Sequence, residues 1–184
     1  MISDIKLENV LLKLYRLVDE RNCYEKAFDA AVAVLYDVLK DRVLLIERVE
    51  NPLDPWSGHI AFPGGRRENK DLNSYMTSIR ELYEEINIKN LKIIHLGPMK
   101  TYVSRGVVKV IPHIYLVKEA GEIMWNKDEI KKAEWVLLRE LREIVCPQNY
   151  TPRCFSTQRF SKIIWGLTGR ILGDILDILS DDEA

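Results

Sequence analysis

Three glutamates, Glu81, Glu84 and Glu85, fall within five consecutive residues. Oxygen ligands at such spacing suit a hard divalent cation such as Mg²⁺. Residues three and four apart are neighbours on a helix surface, so the three carboxylates share one helix face. Without a counter-charge the Glu81/Glu85 pair repels itself by about 0.2–0.5 kcal/mol. Met76, Ile79, Leu82 and Ile86 recur at helical spacing and supply a separate packing side. Upstream, Gly64-Gly65 follows Pro63, and a backbone without Cβ can come close to a metal or a phosphate. Taken alone, Glu-x-x-Glu-Glu fits a solvated acidic face better than a metal site. Its neighbours turn the reading towards chemistry.

Residues 65–88 resemble the signature of the Nudix hydrolases: Gly, five residues, Glu, seven residues, then Arg-Glu-U-x-Glu-Glu-x-Gly-U, with U a bulky aliphatic. Gly65 is the opening glycine, Arg80-Glu81-Leu82-Tyr83-Glu84-Glu85 the core and Ile88 the closing aliphatic. Asp71 stands where the first Glu is expected, with eight residues before Arg80, and Asn87 replaces the late Gly. Asn tolerates the left-handed conformation that a helix end often needs. A box lengthened in this way, with Asp for Glu, is similar to that of the coenzyme A diphosphatase branch. Leu44, Leu45, Arg48, Leu53, Gly58, Ile60 and Phe62 fit that branch's additional upstream motif. Asp54 and Trp56 replace its Arg and His, and Arg48 lies one residue further from Gly58. Ile164-Trp165-Gly166-Leu167-Thr168 is similar to the branch's end.

The resemblance implies an α/β/α sandwich around a mixed sheet, and Mg²⁺-dependent hydrolysis of a diphosphate (with Mn²⁺ as the alternative ion). It makes Glu81 and Glu85 metal ligands, Glu84 a further ligand or the general base, and a backbone carbonyl at Gly64 or Gly65 part of the metal shell. Arg80 would orient the glutamates rather than touch substrate. Hydrolysis of a diphosphate asks the protein to neutralise phosphate oxygens, hold the phosphorus and deliver water in line. Coenzyme A or an acyl derivative is the leading substrate. ADP-ribose, a dinucleotide or a nucleoside triphosphate is the alternative, and a non-catalytic nucleotide-binding module is a third reading that the intact carboxylates disfavour.

Arg48, Arg66 and Arg67 lie near the glycines, and a guanidinium matches phosphate geometry; a solvated basic patch is the competing reading. Trp56 either stacks on a base or closes a loop over the core. Arg105-Gly106 reads as a hairpin tip that reaches the same cleft by fold analogy alone. His59 reads as a loop histidine bonded to backbone, and His95 and His113 as structural. Glu68 and Asp71 read as connecting-loop residues, supporting the site or merely solvated.

These groups need elements to hold them. Leu7, Val10, Leu11, Leu14, Leu17 and Val18 predict an N-terminal helix over about 6–21. Residues 28–36 and 43–46 read as a hairpin across Lys40-Asp41-Arg42, and 49–59 as loop. Residues 60–62 read as a short strand, and 72–86 as a helix capped by Asp71 or Asn73. Strands are expected at 91–104, 107–117 and 134–136, and a mostly helical stretch over 158–179. The 184 residues suit a single domain, 1–184.

Lys plus Arg number 27 against 28 for Asp plus Glu, so charge advertises neither nucleic acid nor membrane. No apolar run approaches the ~18 residues of a membrane span. Cys23, Cys146 and Cys154 are odd in number and widely spaced, which predicts neither disulfide nor zinc site and suggests a reducing, cytoplasmic setting. The expected partner is a small nucleotide diphosphate. The sequence leaves a homodimer open.

Overall fold

The structure, a computed structural model, describes residues 4–23, 25–52, 56–87, 91–104, 107–147 and 153–181. Ile88, Leu53, Asp54 and Arg105-Gly106 therefore lie outside the described residues. Among those described, β1 (Ala30–Asp37) and β2 (Arg42–Arg48) form the expected hairpin, paired antiparallel at Tyr36↔Val43 and Asp37↔Arg42. β3 (Ile60–Ala61) and β8 (Ile130–Leu137) pair with β2. β7 (Val108–Ala120) runs parallel to β1, with β5 (Leu91–Pro98) and β6 (Tyr102–Ser104) antiparallel to β7. The sheet is mixed.

Alternation along β1 splits the core into two layers. Val34 and Tyr36 pack with Leu14, Ile171, Leu172 and Ile175, from α1 (Asp4–Tyr15) and α3 (Gly166–Ser180). Ala33 and Leu35 pack on the opposite face with Leu82 of α2 (Ser74–Glu85) and with Ile86, which ends that helix. Successive strand side chains point to opposite faces, so one buried strand serves both layers. The result is the α/β/α sandwich implied by the sequence.

One edge of β1 is shared between two partners, and that positions the site. β2 pairs with the C-terminal end of β1, whereas β4 (Gly64–Arg66) pairs with its start through Ala30↔Arg66, Ala31↔Gly65 and Val32↔Gly64. β2 and β1 thus diverge, and the diglycine fills the gap.

Several expectations need correction. The N-terminal helix stops at Tyr15, not 21. The chain then binds the sheet instead: Asp19 N–H donates to the Pro98 carbonyl at 2.8 Å, and Val18 bridges to Met99. Residues 158–165 are not helical. β11 (Phe160–Ile164) pairs back onto β10 (Cys154–Thr157), which pairs with β9 (Arg142–Ile144), and α3 begins only at Gly166. Ile163 and Ile164 therefore belong to a strand; sheet pairing outweighed helical periodicity. The 91–104 stretch breaks at Met99–Thr101 into β5 and β6. Met76, assigned to the packing side of its helix, is 37% exposed. Cys146 and Cys154 form a disulfide, which removes the cysteine-based ground for a reducing compartment. Cys23 stays free. No helix among the described residues is long and apolar enough to cross a membrane.

Candidate active site

The site is built from the gap between β1 and β2, the diglycine in it and the last two turns of α2. Gly64 has φ +150°, a region L side chains rarely adopt. A Cβ there would also collide with the Ala31 carbonyl and with Val32. A Cβ at Gly65 would collide with the Glu81 carboxylate. Glycine at 65 is what lets that carboxylate lie against the backbone.

α2 starts where Asn73 accepts from the Met76 N–H at 2.9 Å; Asn73, rather than Asp71, is the cap. Its three glutamates do not share one solvent face. Glu85 is 1% exposed, whereas the Glu84 side chain is 49% exposed and Glu81 lies between them at 12%. Glu85 Oε2 accepts from the Gly64 N–H at 2.8 Å, and its Oε1 faces Arg48 Nη1 at 3.5 Å. Burial first, and then the Glu81 and Glu129 charges, push the Glu85 carboxyl up to about 8, against the pull of the Gly64 N–H and Arg48. Glu81 is likewise raised, chiefly by burial, with Arg80 opposing.

Arg80 gathers the acids around it. Nη1 donates to Glu81 Oε1 and Glu84 Oε2, each at 2.8 Å, and Nη2 donates to the Arg66 carbonyl at 2.8 Å and to Asp71 Oδ2 at 2.9 Å. Asp71 is not a solvated loop residue; it is 2% exposed. It also accepts from the Glu68 N–H and the Thr77 hydroxyl, both at 2.9 Å. Burial would raise its carboxyl, yet Arg80, the Glu68 N–H and Thr77 together hold it at about 2. Asp71 fixes Arg80, and Arg80 fixes Glu81 and Glu84. The Asp at this box position was visible in the sequence, but nothing local revealed that it would be buried.

Arg48 lies against Glu85, and the Arg66 guanidinium sits 5.5 Å from the centre of the Trp56 ring. Both belong to the rim of the site. Arg67 turns away: it bonds the Lys26 and Asp71 carbonyls at 2.7 and 3.2 Å and covers the Phe28 ring at 4.8 Å. His59 packs on Trp165 with ring centres 4.9 Å apart. Sequence reading missed Glu129, whose charge acts on both Glu81 and Glu85. The Asn126–Glu129 turn reaches α2 because Asn126 N–H donates to the Glu85 carbonyl at 2.9 Å. That polar turn carries no periodic signal that could have announced it.

The sequence model of the family described as NUDIX domain matches residues 27–153. The chain belongs to the Nudix family. A Nudix hydrolase NudL of Photorhabdus laumondii is 30% identical over 136 residues, spanning 70% of this chain and 73% of the relative. Nudix hydrolase 15, mitochondrial, of Arabidopsis thaliana is 27% identical over 154 residues, 71% of this chain and 50% of that protein. A solved MutT/nudix family protein from Enterococcus faecalis shares the fold with TM-score 0.50 and 19% identity, covering 86% of this chain and 64% of that one. The protein is thus a Nudix hydrolase acting on diphosphate bonds of nucleotide-containing molecules.

Nudix hydrolases generally need a divalent metal, and the donor set here fits one. Glu81 and Glu85 are carboxylates held out of water, acting on each other and with Glu129 near in charge, with ionisation resisted; oxygen ligands so placed suit a hard cation, which would favour their charged forms. As the side chains stand, no three His, Cys, Asp or Glu groups among the described residues converge on one point, because Arg80 draws Glu81 and Glu84 to itself. Glu81 and Glu85 would hold the ion, with Glu84 and the Gly65 carbonyl beside them. A cation bound there supplies charge neutralisation for phosphate oxygens and acidifies water. The chain's own part is to fix the carboxylates, through the Gly64 N–H for Glu85 and through Arg80 for Glu81 and Glu84.

Proposed function

We propose that the chain hydrolyses the diphosphate of coenzyme A or acyl-coenzyme A with Mg²⁺, releasing an adenosine 3′,5′-bisphosphate and a phosphopantetheine. Glu81 and Glu85 serve as metal ligands, Glu84 as a further ligand or base, and Arg48 and Arg66 as phosphate contacts. The observation that supports this reading is a contact between two distant segments, each similar to the coenzyme A branch. His59 of the upstream motif, five residues before Gly64, packs on Trp165 of the Ile-Trp-Gly-Leu-Thr segment. The two segments are thereby in contact close in sequence to Gly64 and Gly65.

Trp56 beside Arg66 also fits a second reading. An aromatic ring next to a guanidinium is a stacking platform for a nucleobase, and ADP-ribose or a dinucleotide offers a base to it as coenzyme A does. The test is a panel of diphosphates incubated with Mg²⁺ and read by mass spectrometry. Coenzyme A should yield both products. Turnover of ADP-ribose or a triphosphate with none of coenzyme A would leave Nudix chemistry intact and end the coenzyme A assignment. Asp54→Arg, restoring the branch's charge at that position, should raise coenzyme A turnover.

A further inference from the structure

We infer that Lys162 is a positioning residue for the hydrolase reaction, holding the loop that brings Trp56 to the site. It lies beyond residues 27–153, so the family match assigns it no role. From β11 its ammonium group donates to the Gly58 carbonyl at 3.1 Å and to Glu50 Oε1 at 3.1 Å, and it pairs with Glu47 Oε1 at 3.3 Å. These three acceptors sit on both sides of the neck of one loop. The neck is closed by Gly58 N–H to the Val49 carbonyl at 3.3 Å and by Asn51 N–H to Ser57 Oγ at 2.7 Å.

Glu47 is 4% exposed and is also paired with Lys131 at 2.9 Å. It precedes Arg48, the partner of Glu85. Gly58 is followed by His59 and β3, which run into Pro63 and the diglycine. Trp56, two residues before Gly58, carries Arg66 against its ring. One ammonium therefore ties the C-terminal strand to both the β2 end and the tip side of this loop. An ammonium suits the task because it offers three donors to three acceptors. Without it, Glu47 keeps Lys131, Glu50 loses its ion pair and the Gly58 carbonyl loses its side-chain donor, so only backbone bonds and Ser57 brace the neck. Trp56 is then held less firmly beside Arg66, while Arg66 in β4 and the glutamates of α2 keep their places.

The inference rests on the site assigned to Gly64, Glu81 and Glu85. The experiment measures kcat and KM on whichever of coenzyme A or ADP-ribose the wild type cleaves, and ADP affinity by calorimetry without turnover. Lys162→Met should raise KM and weaken ADP binding about tenfold, leaving kcat within about threefold, the pattern of lost substrate binding rather than lost chemistry. Lys162→Arg should recover most of both. Unchanged KM and ADP affinity alongside a lower Tm would reduce Lys162 to a structural brace and overturn the inference. If Lys162→Met does not fold, Glu50→Gln reports instead, because Glu50 is 73% exposed and bears only one arm of the contact. It should raise KM severalfold, and an unchanged KM there also overturns the inference. Glu85→Gln run in parallel should lose turnover yet bind ADP; retained turnover would show that the site itself is misplaced, independently of Lys162.

Discussion

The N–H of Gly64 donates to Oε2 of Glu85 at 2.8 Å, joining the strand in the sheet gap to a helix residue 21 positions later. A backbone donor cannot rotate away, so this carboxylate is fixed before any ligand arrives. It is fixed at a cost: burial lifts Glu85 to about 8.

Glu85→Gln keeps the shape, accepts the same Gly64 N–H and removes the charge. Turnover should fall by about 10²–10⁴-fold, the range for losing a positioned acid–base group. The fold should survive, read by an unchanged circular dichroism spectrum. Near-normal activity in both Glu85→Gln and Glu84→Gln would mean that neither carboxylate takes part in the reaction.

Metal should stabilise the folded protein, because the unfolded chain does not assemble Glu81 with Glu85. At a free Mg²⁺ concentration 100 times the dissociation constant the gain is about 2.7 kcal/mol. Tm should therefore rise with Mg²⁺ and fall back with EDTA. In Glu85→Gln the rise should shrink or vanish; an equal rise in the variant would place the ion elsewhere.

Asp71→Ala takes from Arg80, whose side chain is only 11% exposed, its buried carboxylate partner and leaves it Glu81, Glu84 and the Arg66 carbonyl. Losing a hydrogen bond to a charged group costs about 1.5–3 kcal/mol, so urea unfolding should shift, and activity should drop because the guanidinium that holds Glu81 and Glu84 loses its own anchor. The Asp71 contribution is complete above the unfolded carboxylate value of about 4. It is lost as pH falls towards the folded value of about 2.

His113 gives a pH signature of its own. It is 1% exposed, held between His95 Nε2 and Ser74 Oγ at 2.9 Å each, with Tyr75 and Tyr115 packed nearby. Burial first, then the neighbouring His95, depress it to about 3. Its folded value is below the unfolded one of about 6.5, so the unfolded chain binds the extra proton between them and stability falls with pH in that window. From pH 7.5 to 5.5 His113 should cost about 1.4 kcal/mol, one pH unit of full linkage. Glu85, raised to about 8, works with the opposite sign over the same range. The measurement is therefore the difference between wild type and His113→Gln in urea at the two pH values. Equal pH dependence in both would mean His113 is protonated in the folded state.

Sequence alone determined the features that depend on short spacing. Arg80-Glu81-Leu82-Tyr83-Glu84-Glu85 after a diglycine pointed to the chemistry through its resemblance to the Nudix signature, whereas the spacing of the glutamates alone suited a solvated acidic face. The Ala- and Val-rich run of β1 and the helical spacing in α2 likewise pointed to a mixed sheet between helices, in agreement with the fold that the resemblance implied. Where the chain had to choose between two local options, tertiary contacts decided. Phe160–Ile164 carries residues that suit either a helix or a strand, and pairing with Cys154–Thr157 made it a strand. Residues 16–21 left the expected helix, and the end of β5 with Met99 offered backbone partners to Asp19 and Val18. Cys146 and Cys154 became neighbours only once β9 and β10 paired.

The same division holds inside the site. Which residues carry charge is written in the chain, but how far each is removed from water is not. Glu84 and Glu85 are adjacent in sequence, and one is half in solvent while the other is sealed beneath Gly64. Glu129, 44 positions further on, reaches that buried carboxylate electrostatically because Asn126 docks on the end of α2. Desolvation and long-range Coulomb repulsion depend on where the rest of the chain lies, so only the tertiary structure sets them.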